Sequence, residues 1–285
     1  VEKVGADPLR YGILSLTTGF NQNLKLSVKR TPRDGEGELD HFDVEVPIFE
    51  EGRRLSNKLW QALRGVVLPN VESLSPQITA ASPYPEDRYI LSRMGHAVAE
   101  ITEHMQEYRL GETCDRLYHL FWDDFCSWYL EIVKPRLWGT DDERSRAHAQ
   151  RTLLRCTDAI LRMFHPIMPF ITEAIWQELR PALEAAKLPH LAEALIVAPW
   201  PQAEEFEIDT DLERDVQLAR EITSAINAVR AEVRGVTPGQ ALPEGVLAAE
   251  GEGHDALART QPHWSAVARL ARVSNITEGD VEHPP

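Results

Sequence analysis

From Ile90 to Leu179 apolar residues return every three or four positions, and this period narrows the fold more than any other feature of the chain. Ile90, Met94, Ala97, Val98, Ile101, Met105 and Tyr108 share one stripe of a helix, because residues three and four apart lie above one another on a helical surface. Leu117, Leu120, Phe121, Phe125, Trp128 and Ile132 repeat the pattern in a helix read from Leu110 to Val133. Pro135 is expected to stop that helix by removing a backbone donor. Leu153, Leu154, Ile160, Leu161 and Phe164 make a third stripe, ended by His165-Pro166, and Ile167 to Leu179 follow it. Helices with one apolar face and short proline-containing turns are most stable packed together, so from about residue 48 the expected class is mainly α, an antiparallel helical bundle.

The flanks read differently. Pro8 to Leu14 suggests a short helix and Leu24 to Val28 an extended stretch, while residues 31–47 read either as an acidic loop or as a hairpin with Phe42 to Val46 as its second arm. Beyond Pro181, Leu195-Ile196-Val197 is expected to be a short strand or extended segment and Pro199-Trp200-Pro201 a rigid link. A long helix from about Asp211 to Arg234 then opens a second unit, with strands at Val246-Leu247 and Val273 to Ile276 around a helix near His263 to Leu270. That unit is expected to be a small, incomplete α+β domain.

Composition excludes several classes. With 43% hydrophobic and 26% charged residues in 285, the chain can bury a sizeable core. No stretch approaches the roughly 20 apolar residues of a membrane span, so no membrane partner is expected. Cys114, Cys126 and Cys156 form no CxxC pair and cannot pair completely, which favours a reducing cytoplasm and leaves no structural zinc site in view. A formal charge of −15 argues against a general nucleic-acid coating protein but leaves room for a local basic face. The opening Val1-Glu2-Lys3-Val4 has no initiator Met, implying processing or a fragment of a longer chain.

Catalytic constellations are absent from the pattern. The glycines at 12, 19, 35 and 37 make no phosphate cradle. Asp123 and Asp124 are adjacent, so on a helix their carboxylates diverge by about 100°, and a solvated face plus one buried partner explains them. Cys114 and His119 lie five apart and share no helical face well. His165 to Phe170 suits a structural turn, and Trp122, Trp128 and Trp138, although able to stack bases, suit a core.

Arg53 to Arg64 differs in kind. Leu55, Leu59, Trp60 and Leu63 form an apolar stripe that leaves Arg53, Arg54, Asn57, Lys58 and Arg64 around the other side. Cations and amides on one helix can hold phosphates and base edges together. On composition alone a solvated basic face is the simpler account. Lys25, Lys29, Arg30 and Arg33 upstream add to this concentration of positive charge.

Asn57 to Trp60, Asp124 to Glu131 with Lys134-Pro135, His165 to Glu173 with Trp176, and Pro199-Trp200-Pro201 together resemble, in order and spacing, the anticodon-binding helical domain of the valyl-tRNA synthetase family. Glu2 to Tyr11 resembles the segment after that family's catalytic Lys-Met-Ser-Lys-Ser loop, and Val229 to Glu232 with Pro238 and Leu242-Pro243 the start of its C-terminal region. Two elements also occur in the isoleucyl and leucyl relatives, whereas Phe125 to Glu131 favours the valyl member.

The resemblance implies a connector with an acidic insertion over residues 1–47, an anticodon-binding bundle over 48–201 and the small α+β domain over 202–285. It implies tRNA as partner, valine-specific, contacted by Arg53, Arg54, Asn57, Lys58 and Arg64, with Leu130 and Lys134 beside the bundle end. It further implies a valine-tRNA ligase whose ATP and Mg belong to an upstream catalytic domain of the same chain, leaving this segment without cofactor or catalytic residue. Gly65 stands where the family usually has an aromatic, and offers no surface for base stacking. The alternative is a paralogue that kept the bundle, lost tRNA binding and serves as an interaction or regulatory module.

Overall fold

In the computed structural model, which describes residues 4–17, 27–32, 42–74, 81–139, 142–188, 191–232, 237, 240–249 and 252–279, the apolar stripes become helices around one large core. The chain begins with α1 (Ala6–Ser15), then β1 (Lys29–Pro32) and β2 (Phe42–Glu45), paired antiparallel with Lys29 opposite Glu45. Of the two readings of residues 31–47, the hairpin is therefore the one found; Leu24 to Leu26, Arg33 and residues 34–41 lie outside the described residues. The bundle follows as α2 (Pro47–Ala62), α3 (Leu68–Val71), α4 (Pro85–Gln106), α5 (Leu110–His119), α6 (Glu131–Trp138), α7 (Glu143–Phe164) and α8 (Pro169–Ala185). Pro47, Pro85 and Pro169 each open a helix, where the missing N–H has no intrahelical partner to lose.

Two π-helical segments, Leu63–Val67 and Leu120–Leu130, join α2 to α3 and α5 to α6 without a break. The second carries Phe121, Phe125 and Tyr129, all fully buried with Phe164 and Trp176. Its wider turn of i→i+5 bonds shifts the apolar face along the core.

Pro135 does not end the helix. It sits inside α6, which runs on to Trp138. The reason is tertiary: the guanidinium of Arg136, the residue right after the proline, donates to both carboxylate oxygens of fully buried Asp87, at 2.8 and 2.9 Å. Tyr129 Oη and Ser82 Oγ donate to the same carboxylate at 2.9 and 2.6 Å, completing a satisfied buried charge pair. Helix α8 likewise passes through Pro181. Leu195–Val197, expected as a short strand or extended segment, is a 3-10 turn with only Leu195 buried; with no partner strand among the described residues, the three residues close i→i+3 bonds locally instead.

The rest of the chain is α9 (Thr210–Glu232), β3 (Gly245–Leu247), α10 (Glu252–Thr260), α11 (Trp264–Ala271) and β4 (Ile276–Glu278). Strands β3 and β4 are parallel, with Gly245 opposite Ile276. A second, smaller core of Val216, Ala219, Val267, Ala271, Val273 and Ile276 takes in Tyr89 and Trp128 from the bundle. Around that seam Asp124 accepts from Arg93 at 3.1 Å and from Arg220 at 2.5 Å, while Arg93 also reaches Glu213 at 3.1 Å, so charges from α4, the π segment and α9 neutralise one another. Among the described residues no helix is long and apolar enough to cross a membrane.

Candidate nucleic-acid interface

Helix α2 meets the core along Leu55 and Leu59, and its stripe continues into Leu63; all three are essentially inaccessible. Its other neighbour is α1, which approaches so closely that a Cβ on Gly52 would stand 2.7 Å from the Pro8 carbonyl oxygen. Only glycine permits that contact. With two sides occupied, Arg53, Arg54, Asn57 and Arg64 are turned to solvent and Lys58 is half-buried.

Among the described residues, none of these cations is sealed by buried carboxylates. Arg53 pairs with Glu50 at 2.7 Å and Arg64 with Glu178 at 2.9 Å, both arginine side chains staying more than half exposed, at 55% and 53%. Pairs of this kind contribute about 0–1 kcal/mol, so a phosphate can displace the carboxylate at small cost. The Arg64 guanidinium also lies over the half-buried Trp60 ring, 4.9 Å from its centroid. Lys58 Nζ stands 5.3 Å from the centroid of Trp122, and that indole stacks on Tyr118 at 5.4 Å with the planes 12° apart. Arg54 joins Tyr11, Tyr118 and Trp122, together with Glu51 and Asp115, around a hollow of about 440 Å³. Cation, amide and aromatic face thus occur side by side, the combination that grips a phosphate chain and offers its bases a surface.

The two weaker site residues fare differently. Leu130 is 4% exposed and belongs to the large core, which corrects its expected place among RNA contacts: the π register turns it inward with Phe121 and Tyr129. Lys134 is half-buried, paired with Glu131 at 2.5 Å, and 5.9 Å from the ring centroid of Trp138, which is 62% exposed. Of the upstream cations, Lys29 is exposed on β1 and Arg30 is the register partner of Val44 in the hairpin backbone; Lys25 and Arg33 lie outside the described residues. Gly65 has nothing within 4 Å of where a Cβ would sit, so the position of the missing aromatic is open among the described residues.

Sequence reasoning missed Tyr118. The signal was its spacing of four from Trp122, which stacks the two rings on one face beside Lys58. Other readings resolve as structural. Cys114 is buried, its thiol pushed up to about 12 by burial and then by Asp115, whereas His119 is exposed and bonded to Asp123 at 2.6 Å. The His165 turn is tied down by its Nδ1 contact with Thr172 Oγ1 at 2.9 Å. Trp128 is core, as its spacing suggests.

Residues 87–240 match the family model described as the anticodon-binding domain of tRNA ligase. The chain is similar to the valine-tRNA ligase of Thermosynechococcus vestitus, 34% identical over 292 residues, covering 98% of this chain and 28% of that protein. It is 34% identical over 281 residues to the valine-tRNA ligase of Gloeobacter violaceus, covering 97% and 28%. Against that of Bacillus cereus it is 30% identical over 288 residues, covering 100% and 29%. The chain therefore spans 28–29% of the length of these curated relatives. Helix α2 lies before the family-model match, which starts at Asp87, but the alignment to the Bacillus cereus ligase spans the whole chain.

Proposed function

This chain belongs to the anticodon-binding domain family of tRNA ligases, and from that premise we propose that it is the tRNA-reading portion of a valine-tRNA ligase. On this reading it grips the anticodon stem-loop while adenylate formation and transfer, with ATP and Mg, take place on a catalytic domain elsewhere in the longer protein. The segment itself supplies no reacting group. Its contribution is position: a tRNA held at one end is constrained at the other, and correct placement lowers a barrier without any chemical group from this part.

The observation that carries the reading is the orientation of α2, with Leu55 and Leu59 in the core and Arg53, Arg54, Asn57 and Arg64 in solvent beside the Lys58–Trp122–Tyr118 stack. Arg53, Arg54, Lys58 and Arg64 are assigned to phosphates and Asn57 to a base edge, with Lys134 and exposed Trp138 as an outlying contact. A chain of net charge −15 that binds tRNA depends on such a local patch.

Titrating valine tRNA and an unrelated tRNA across salt concentrations tests the proposal. Each phosphate contact contributes roughly 0.7–0.9 to the slope of log affinity against log salt, so Lys58→Ala and Arg64→Ala are each expected to flatten it by about that amount. Equal affinity for both tRNAs, or unchanged slopes in both variants, would overturn it. The open position at Gly65 and the acidity of the chain, net charge −15, favour the second reading, an interaction module without tRNA binding. Absence of any tRNA complex at low salt would select that reading.

A further inference from the structure

His148, Arg151, Thr152 and Arg155 follow one another along a single face of α7. That face lines a cleft of about 380 Å³, which Arg88 and Leu91 of α4 and the 204–209 segment also line. The volume falls in the usual range for small-ligand sites, about 300–1,000 Å³.

Charge around the cleft does not cancel locally. Arg88 is taken up by Asp209, and Glu205 accepts from Arg162 at 3.1 Å and from the backbone N–H of Gln202 at 2.8 Å. Arg155 donates to the backbone carbonyl of Glu205 at 2.5 Å, and its guanidinium stands 5.5 Å from the centroid of Phe206. Arg151 has no hydrogen-bond or carboxylate partner among the described residues. Burial, and after it the Arg155 charge, hold its pKa below the ordinary value. The remaining carboxylates, Glu204 and Glu207, are solvent-exposed. His148 is 2% exposed, and its Nε2 has no partner among the described residues although the residue lines the cleft. A buried polar atom without a partner and an unneutralised guanidinium beside a second one both cost stability, and one anion relieves both.

We propose that this cleft is a phosphate-binding site, in which Arg151 and Arg155 hold phosphate oxygens and His148 Nε2 donates to a third. The fork of a guanidinium matches phosphate geometry bidentately. Leu91 and Phe206 give the remainder of the ligand an apolar wall. The phosphate arrives either on a mononucleotide-sized molecule or on an RNA backbone. The site uses no residue of the α2 patch and stands independently of the tRNA proposal.

The test is calorimetric titration of the 285-residue chain with inorganic phosphate and with AMP, paired with the His148 ring-proton resonance. Both ligands are expected to bind and to move that resonance. Arg151→Gln, which removes a side chain with no partner among the described residues, is expected to weaken binding at least tenfold, Arg151→Lys to restore part of it, and Lys58→Ala to leave it unchanged. Saturating tRNA that blocks AMP identifies the RNA backbone as source, and undisturbed AMP binding identifies a small molecule. No binding of either ligand at tens of millimolar, or unchanged binding in Arg151→Gln with its circular dichroism intact, would overturn the site.

Discussion

Asp7, on the first helix, accepts the backbone N–H of Ile171 at 2.7 Å, and of Phe170 at 3.2 Å, thereby capping α8 from 164 residues away. Arg10, one turn further along α1, donates to the carbonyls of Ile167 at 3.0 Å and Pro166 at 2.8 Å. Together they staple α1 to the turn between α7 and α8. That turn also lies close to Trp200, whose Nε1 donates to Thr102 on α4 at 2.8 Å. The α1 staple braces the side of the bundle against which α2, with its cations, is packed.

Removing the cap is expected to loosen that brace. Asp7→Ala leaves two helix N-terminal donors without their acceptor in a site where Asp7 is 5% exposed, and loss of a capping side chain costs about 0.5–2 kcal/mol. Urea denaturation should show the loss, with the affinity for valine tRNA falling further than the stability change alone predicts for a rigid-body effect on α8.

Asp87→Ala is expected to be far more damaging, because it strands the Arg136 guanidinium and the Tyr129 hydroxyl inside the bundle. Breaking one partner of a buried pair costs roughly 3–5 kcal/mol. Tyr129→Phe, which removes only one hydrogen bond, should cost about 1 kcal/mol. A ratio near unity between the two, measured by thermal or urea unfolding, would show that the network is not what holds α6 past Pro135.

Gly65→Trp tests the open position on the π segment. With nothing within 4 Å of the added Cβ among the described residues, the substitution is expected to fold normally and to gain about 0.5 kcal/mol of helix propensity. If a tRNA base passes this point, stacking adds about 1–3 kcal/mol of affinity. Filter binding reads the gain directly, and none is expected for Gly65→Ala.

Three imidazoles set an acid sensitivity. Burial lowers the pKa of His148, His165 and His263 below the ordinary value of 6.5, outweighing the neighbouring carboxylates. As pH falls through about 6.5, the unfolded chain takes up protons that the folded chain does not, so stability falls until the folded pKa values are passed. It is fully present above 6.5. Glu86, raised by burial against the pull of Arg136, acts in the opposite sense, adding stability at acid pH that is lost as pH rises through its folded value. Urea midpoints measured downward from pH 7.5 should therefore decline, and His263→Gln should flatten the decline.

The bundle was legible because helical period and proline placement are local. Leu55, Leu59 and Leu63 repeat on one face whatever packs against them, and the cations on the other face follow from the same turn of 3.6 residues. The small strand at 245–247 was legible for a similar reason, as a short apolar run between turns, whereas the strand expected at Val273 to Ile276 meets the observed β4 at Ile276 alone and Val273 forms only an isolated bridge to Leu242.

What the letters alone determined, then, is which residues form helices and which helix carries the positive charge. Only the tertiary structure decided that Pro135 and Pro181 stay inside helices, that Leu130 turns inward, and that Tyr118 and Trp122 stand beside Lys58. It also decided that Arg151 and His148 share a cleft with the 204–209 segment. The division has one physical cause. Periodicity acts between neighbours along the chain, whereas a buried carboxylate such as Asp87 reaches Arg136 across 49 positions and overrides the local preference once the core has formed around it.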